Sequence, residues 1–201
     1  MRNNEQGRSM IEMLGVLAIV GVLSVGGIAG YSKAMNKFKA NKLIDQVTTI
    51  STNVKTIFSG QRTYNGLDLS IASKVGILPA ETFEAGKSTL GSTDVTHAFG
   101  GTILLDPSGL ITDTDEMAYT LTINTIPAEA CVAILTTDFG SDATVAMGTE
   151  AVDDVLQSNA STKASDTVGV PGNKDHPIPF SVVDAKNACG NATSSIYFKF
   201  K

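Results

Sequence analysis

The sequence predicts an α+β protein: one long N-terminal α-helix, half hydrophobic and half amphipathic, packed against an antiparallel β-sheet head. Three observations carry this. Residues 1–62 contain no proline and keep their apolar residues at helical spacing. The remainder is rich in turn signals and short strand-like runs. Charge divides at the same place: residues 1–62 hold eight Lys/Arg against three Asp/Glu, and residues 63–201 hold seven against seventeen. The 201 residues suffice for one ordinary domain with a core. A composition of 42% hydrophobic and 17% charged residues excludes a disordered chain, a polytopic membrane protein and a strongly basic nucleic-acid binder.

The helix comes first. Residues 13–32 are twenty consecutive uncharged positions. As a helix they span about 30 Å, one hydrocarbon core. A secretory signal peptide is one reading of such a run. Against it, no small-x-small cleavage site leads into a polar start, and the chain continues as a helix. Met35, Phe38, Leu43, Ile44, Val47, Ile50, Val54, Ile57 and Phe58 recur every three to four residues, with Lys33, Lys37, Lys39, Lys42, Asp45 and Lys55 in the gaps. The pattern predicts a near-continuous helix from about residue 9 to residue 58, on the order of 75 Å long. Half of it must lie in lipid or against other copies. Gly26, Gly27 and Gly30 cluster late in the apolar run, each at a cost of about 1 kcal/mol in helix propensity. They read as a close-packing face, a point where the helix unwinds, or glycine tolerated in a membrane helix.

The head follows. Asn65-Gly66 and Asp106-Pro107-Ser108-Gly109 are turn signals. Residues 102–105, 118–124 and 144–147 have strand composition, and residues 195–200 alternate polar and apolar as a last strand. Pro127 opens a helix over 128–135. Ser181-x-x-Asp184 is a capping box with Asp in place of Glu, ahead of a second short helix. A sheet on the amphipathic half of the long helix buries Phe38, Ile44 and Val47. Residues 148–178, rich in Gly, Ser, Asp and Pro, read as a long surface loop. Cys131 and Cys189 suit a structural disulfide in an exported domain, or two buried thiols otherwise.

Catalytic sets are missing from the pattern. His97 and His176 have no His-x-x-His or Cys-x-x-Cys companions, so no metal site is indicated. There is no Gly-x-Ser-x-Gly and no phosphate loop. Asp113, Asp115 and Glu116 read as a solvated acidic loop rather than a calcium site. Asn159-Ala160-Ser161 and Asn191-Ala192-Thr193 match glycosylation sequons, a pattern short enough to arise often by chance.

One carboxylate is out of place. Glu12 lies between Ile11 and Met13 at the mouth of the apolar run. In lipid or a packed bundle it costs several kcal/mol unless paired. It either marks the membrane boundary or awaits a positive partner. The surrounding Gly7-Arg8-Ser9-Met10-Ile11-Glu12-Met13-Leu14 resembles the class III signal of type IV prepilins. That resemblance implies removal of a leader, residues 1–7, by a prepilin peptidase cutting between Gly7 and Arg8. It implies N-methylation of Arg8, which stands where the family usually has an apolar residue. The long helix is then 8–58, with 8–32 as its membrane or filament-core part. Glu12 becomes the docking residue that neutralises a terminal amine during assembly. A positive-inside count of the lysines after the apolar run favours a cytoplasmic C-terminal side; the motif and the cysteines favour export.

The likeness continues into the head, residues 59–201. Gly60-Gln61-Arg62-Thr63-Tyr64-Asn65-Gly66-Leu67-Asp68 resembles the loop after the long helix in type IVb pilins. His97-Ala98-Phe99-Gly100-Gly101 resembles their Phe-Gly-Gly turn. Ala128-Glu129-Ala130-Cys131-Val132 and Ala185-Lys186-Asn187-Ala188-Cys189 resemble their two cysteine segments. A Cys131–Cys189 disulfide bounding region 131–189 is implied, worth on the order of 4 kcal/mol. The function implied is that of a major structural subunit, a homopolymer in an extracellular filament for adhesion, aggregation or conjugal contact, not an enzyme and without cofactor. Its implied partners are the prepilin peptidase, the assembly machinery, the bacterial inner membrane before assembly, and a host-cell or recipient-cell receptor. A minor pilin, tip adhesin or pseudopilin is the alternative within the class; a single-pass anchored binding protein or enzyme lies outside it.

Overall fold

The computed structural model describes residues 5–87, 89–107, 118–140, 143–148, 176–177, 179–190 and 194–200. The chain divides into two units, residues 1–38 and 39–201. Helix α1, Glu5–Phe58, is unbroken over 54 residues. It starts earlier than the predicted residue 9, and residues 5–9 contain no proline to stop it. In the first unit α1 is alone, and its apolar side chains stand exposed.

In the second unit, α1 lays a stripe of Leu43, Val47, Ile50 and Val54 into the core, each fully buried. The spacing is three and four, as one helix face requires. Val47 takes its predicted place and Ile44 is half-buried. Phe38 does not join them: it is 61% exposed. At about 100° per residue it points roughly 140° away from Leu43, so its hydrophobicity suggested a face that its phase does not share. Ile57 is likewise exposed, at the margin of the stripe.

The sheet contains β1 (Ile103–Asp106), β2 (Tyr119–Ile126), β3 (Ala143–Gly148), β4 (His176–Pro177) and β5 (Ser194–Phe200). Their spatial order is β1-β2-β5-β3-β4, and every neighbouring pair is antiparallel. The strand last in sequence is therefore central. Register explains the core: Tyr119 pairs with Phe200, Leu121 with Phe198 and Ile123 with Ile196. Cross-strand apolar pairs of this kind are the stabilising unit of a sheet. The alternation in β5 does not put its polar positions in water. Tyr197 and Lys199 are buried, as are their partners Thr122 and Thr120. The loop predicted over 148–178 is corrected at both ends, because Gly148 closes β3 and His176–Pro177 forms β4. Pro177 sits on an edge strand, where its missing N–H is tolerated. Asp113, Asp115, Glu116, both sequons and the Ser108-Gly109 half of the second turn lie outside the described residues, as does most of that loop.

Among its described residues the head also carries three short α-helices, α2 (Leu69–Lys74), α3 (Ala128–Leu135) and α4 (Val182–Cys189). The helix after Pro127 has the predicted bounds. At α4 the Ser181 Oγ accepts the Asp184 N–H at 3.2 Å and donates to Asp184 Oδ2 at 2.6 Å. In this cap the two side chains meet each other. Helix α2 was not anticipated; Asp68 caps it by accepting the Ile71 N–H at 2.7 Å. The Asn65-Gly66 turn forms as expected, with Leu67 N–H donating to Tyr64 O at 3.0 Å and Gly66 at φ +80°.

Candidate assembly site

The first unit presents apolar surface on every side. Ile11, Leu17, Val22, Leu23, Val25 and Ile28 are all well over half exposed, Val22 reaching 75%. Water does not favour such a surface. The helix is long and apolar enough to cross a membrane by length and composition. Gly7 and Arg8 lie in the helical backbone of its first turns, and Glu12 lies exposed one turn further on. Glu12 is the acidic residue that stands at the mouth of the apolar run 13–32.

Gly26, Gly27 and Gly30 do not interrupt α1. A Cβ built at any of the three meets nothing within 4 Å. Gly26 and Gly30 are one helical turn apart, so they present one open, backbone-lined patch. Ser24 nearby turns its hydroxyl inward to Val20 O at 2.7 Å, which satisfies it without water.

The cysteines meet. Cys131 and Cys189 form a disulfide with Cα atoms 5.9 Å apart. It joins α3 to α4, and both residues are buried. Two hydrogen bonds lie beside it: Phe180 N–H to Leu135 O at 2.8 Å and Ser194 Oγ to Cys189 O at 3.2 Å. The start of α4 leaves Val182 and Val183 each 68% exposed. Ile71 on α2 and Val75 just after it are also exposed.

Polar residues at the base of the head escaped the sequence reading. Gln46 lies on the apolar face of α1, is buried, and accepts the Ala98 N–H at 3.3 Å. Asn53 donates to the carbonyls of Gly76 and Ile77 at 3.2 and 3.1 Å and ties the end of α2 to α1. A polar residue in phase with Leu43, Val47 and Ile50 was the available signal for Gln46. His97 is buried in the turn before β1. Among the described residues no three His, Cys, Asp or Glu side chains converge as metal ligands do.

A bare apolar helical stem and an antiparallel sheet head pinned by a disulfide define a type IV pilin. Solved structures of type IV pilins share the fold. One is a type IV b pilin from Salmonella typhi, with a TM-score of 0.51 at 16% identity, covering 79% of this chain and 97% of that one. Another is TcpA, a type IV pilin from Vibrio cholerae El Tor biotype, with a TM-score of 0.52 at 14% identity, covering 81% and 99%. The chain belongs to the bundlin family, whose model matches residues 32–199. It is 27% identical over 139 residues to the major structural subunit of bundle-forming pilus of Escherichia coli O127:H6, covering 69% of this chain and 68% of that protein. The same subunit from Escherichia coli O111:H- matches equally.

Proposed function

We propose that this chain is the major structural subunit of a type IVb pilus and performs no catalysis. It polymerises through its hydrophobic N-terminal helix into an extracellular filament. The observation that carries the reading is the exposed apolar stem joined to a bundlin-family head. Before assembly the stem is held in the inner membrane. A prepilin peptidase removes residues 1–7, cutting between Gly7 and Arg8, and Arg8 becomes the N-methylated terminus. Glu12 then pairs with the terminal amine of a neighbouring copy, because a carboxylate and an ammonium buried in an apolar core are tolerable only together. Gly26, Gly27 and Gly30 let stems approach closely or loosen where they pack. The assembled surface serves adhesion, aggregation or conjugal contact through a receptor on another cell.

Sequencing the N-terminus of surface-sheared filaments, with intact mass, tests this. The expected chain starts at Arg8 and is two hydrogens light for the disulfide. Glu12→Val is expected to leave subunit in the membrane and no filaments on the surface. Sheared material that starts at Met1, or Glu12→Val cells with normal filaments, overturns the assignment of these residues.

A further inference from the structure

His97 is a buried titratable side chain, 4% exposed, that filament assembly does not use. Both its ring nitrogens are committed. Nε2 lies 2.8 Å from the carbonyl oxygen of Asn124, which can only accept. Nδ1 lies 3.2 Å from the backbone nitrogen of Phe99, whose N–H can only donate. Together these contacts fix the neutral ring with its proton on Nε2. A second proton has one place to go, Nδ1, and there it would face the Phe99 N–H head to head.

The turn around the ring is tightly built. His97 N–H donates to Gly101 O at 2.9 Å, and Gly100 N–H donates to His97 O at 2.7 Å. A Cβ at Gly101 would collide with the Asn124 oxygen and the His97 ring. The same turn is tied to α1 at two points. Gln46 accepts the Ala98 N–H, and the Lys39 ammonium sits 5.9 Å from the centre of the Phe99 ring. From β2 the ring meets Asn124, which also donates to the Thr102 hydroxyl at 3.0 Å. The groups facing this turn are therefore the uncharged Gln46, Asn124 and Thr102 and one cation, Lys39, which addresses Phe99. Among the described residues none of these groups is a carboxylate that would support a charged imidazole.

We propose that residues 97–101 are an acid-released latch: neutral His97 holds the turn to β2 and to α1, and protonation at Nδ1 opens it. Opening frees the Phe99 ring from the Lys39 ammonium and exposes the Gln46 amide. Lys39 and Phe99, partly exposed while the latch is shut, then become more accessible together with the Gln46 amide. Burial lowers the pKa of His97, and the bond to Asn124 opposes this only in part, so the latch stays shut at neutral pH.

The test uses the full chain in detergent micelles. Replacing His176, the other histidine, by Gln leaves the imidazole nitrogen NMR signals of His97 alone. The expected result is the Nε2–H tautomer at neutral pH and a titration midpoint below about 6.5. Hydrogen exchange at Ala98 and Phe99, corrected for its intrinsic pH dependence, is expected to lose about tenfold or more of its protection across that midpoint. The amides of Leu121 and Phe198 are expected to keep theirs. In His97→Gln, whose amide does not titrate, protection at Ala98 and Phe99 no longer depends on pH. An Nδ1–H tautomer, a midpoint at or above about 6.5, or unchanged protection once His97 is charged would each overturn the latch. The first two decide the matter even if His97→Gln does not fold.

Discussion

Replacing Cys131 and Cys189 together by alanine removes a crosslink between residues 58 apart in sequence. Constraining that length of unfolded chain is worth about 4 kcal/mol by loop entropy. Both sulfurs are buried, and the void they leave adds about 1 kcal/mol. Domains of this size are stable by about 5–15 kcal/mol, so the loss is a large share of the total. With a urea dependence of about 2 kcal/mol per molar, the unfolding midpoint should fall by about 2 M. Near-UV circular dichroism of the full chain in micelles can follow it. The chain has no tryptophan, so the signal reports tyrosines, including Tyr119, which stacks on Phe200 at 5.0 Å in the core. Three samples separate the contributions: oxidised protein, reduced protein and the double variant. Reduction isolates the crosslink, and the difference between reduced protein and variant isolates the void. A reduced protein whose midpoint moves by less than about 0.5 M would refute the reasoning, because the C-terminal part of the head would then be held by packing alone.

Leu43→Ala should cost about 2–5 kcal/mol of head stability, because it empties a fully buried position of the α1 stripe. Phe38→Ala, by contrast, should change head stability in the same urea titration by no more than about 0.5 kcal/mol. Gly101→Ala should destabilise by about 1–3 kcal/mol, since the added methyl has no space between the Asn124 carbonyl and His97; urea titration of the variant checks it. Stability should also depend on pH through His97. Its folded pKa is lowered by burial, so below about pH 6.5 the unfolded chain binds more protons than the folded one. The contribution is fully present above about 6.5 and is lost as pH falls from there towards the folded value. Midpoints measured across this range should drop less in His97→Gln than in the natural chain.

Local signals carried much of this fold. The period of the apolar residues is enough to draw α1, and Pro127 and Ser181 are enough to start two helices, because those cues act within a few residues. Phe38 shows where such reading fails: composition placed it in the core, while its angular phase turned it outward. Strand order was not legible either. Nothing in residues 194–200 says that they pair with both β2 and β3, since pairing depends on partners far away in sequence. The stem residues were the most legible part of the candidate site, because an uninterrupted apolar run with one glutamate is a local pattern. Gln46, Asn53 and the His97–Asn124 contact were not, for each acquires its meaning from a carbonyl or amide brought up from elsewhere in the chain.

The central place of β5 has a consequence for the order of events as the chain is made. Residues 119–126 and 143–148 leave the ribosome well before residues 194–200, yet β2 and β3 are joined to each other only through β5. Until that strand emerges, each has an open edge. The head therefore closes in one late step, after most of it has already been synthesised. During that interval the nascent chain offers unpaired strands to any neighbour. Truncation within residues 194–200 would not trim a tail; it would leave two half-sheets with nothing between them.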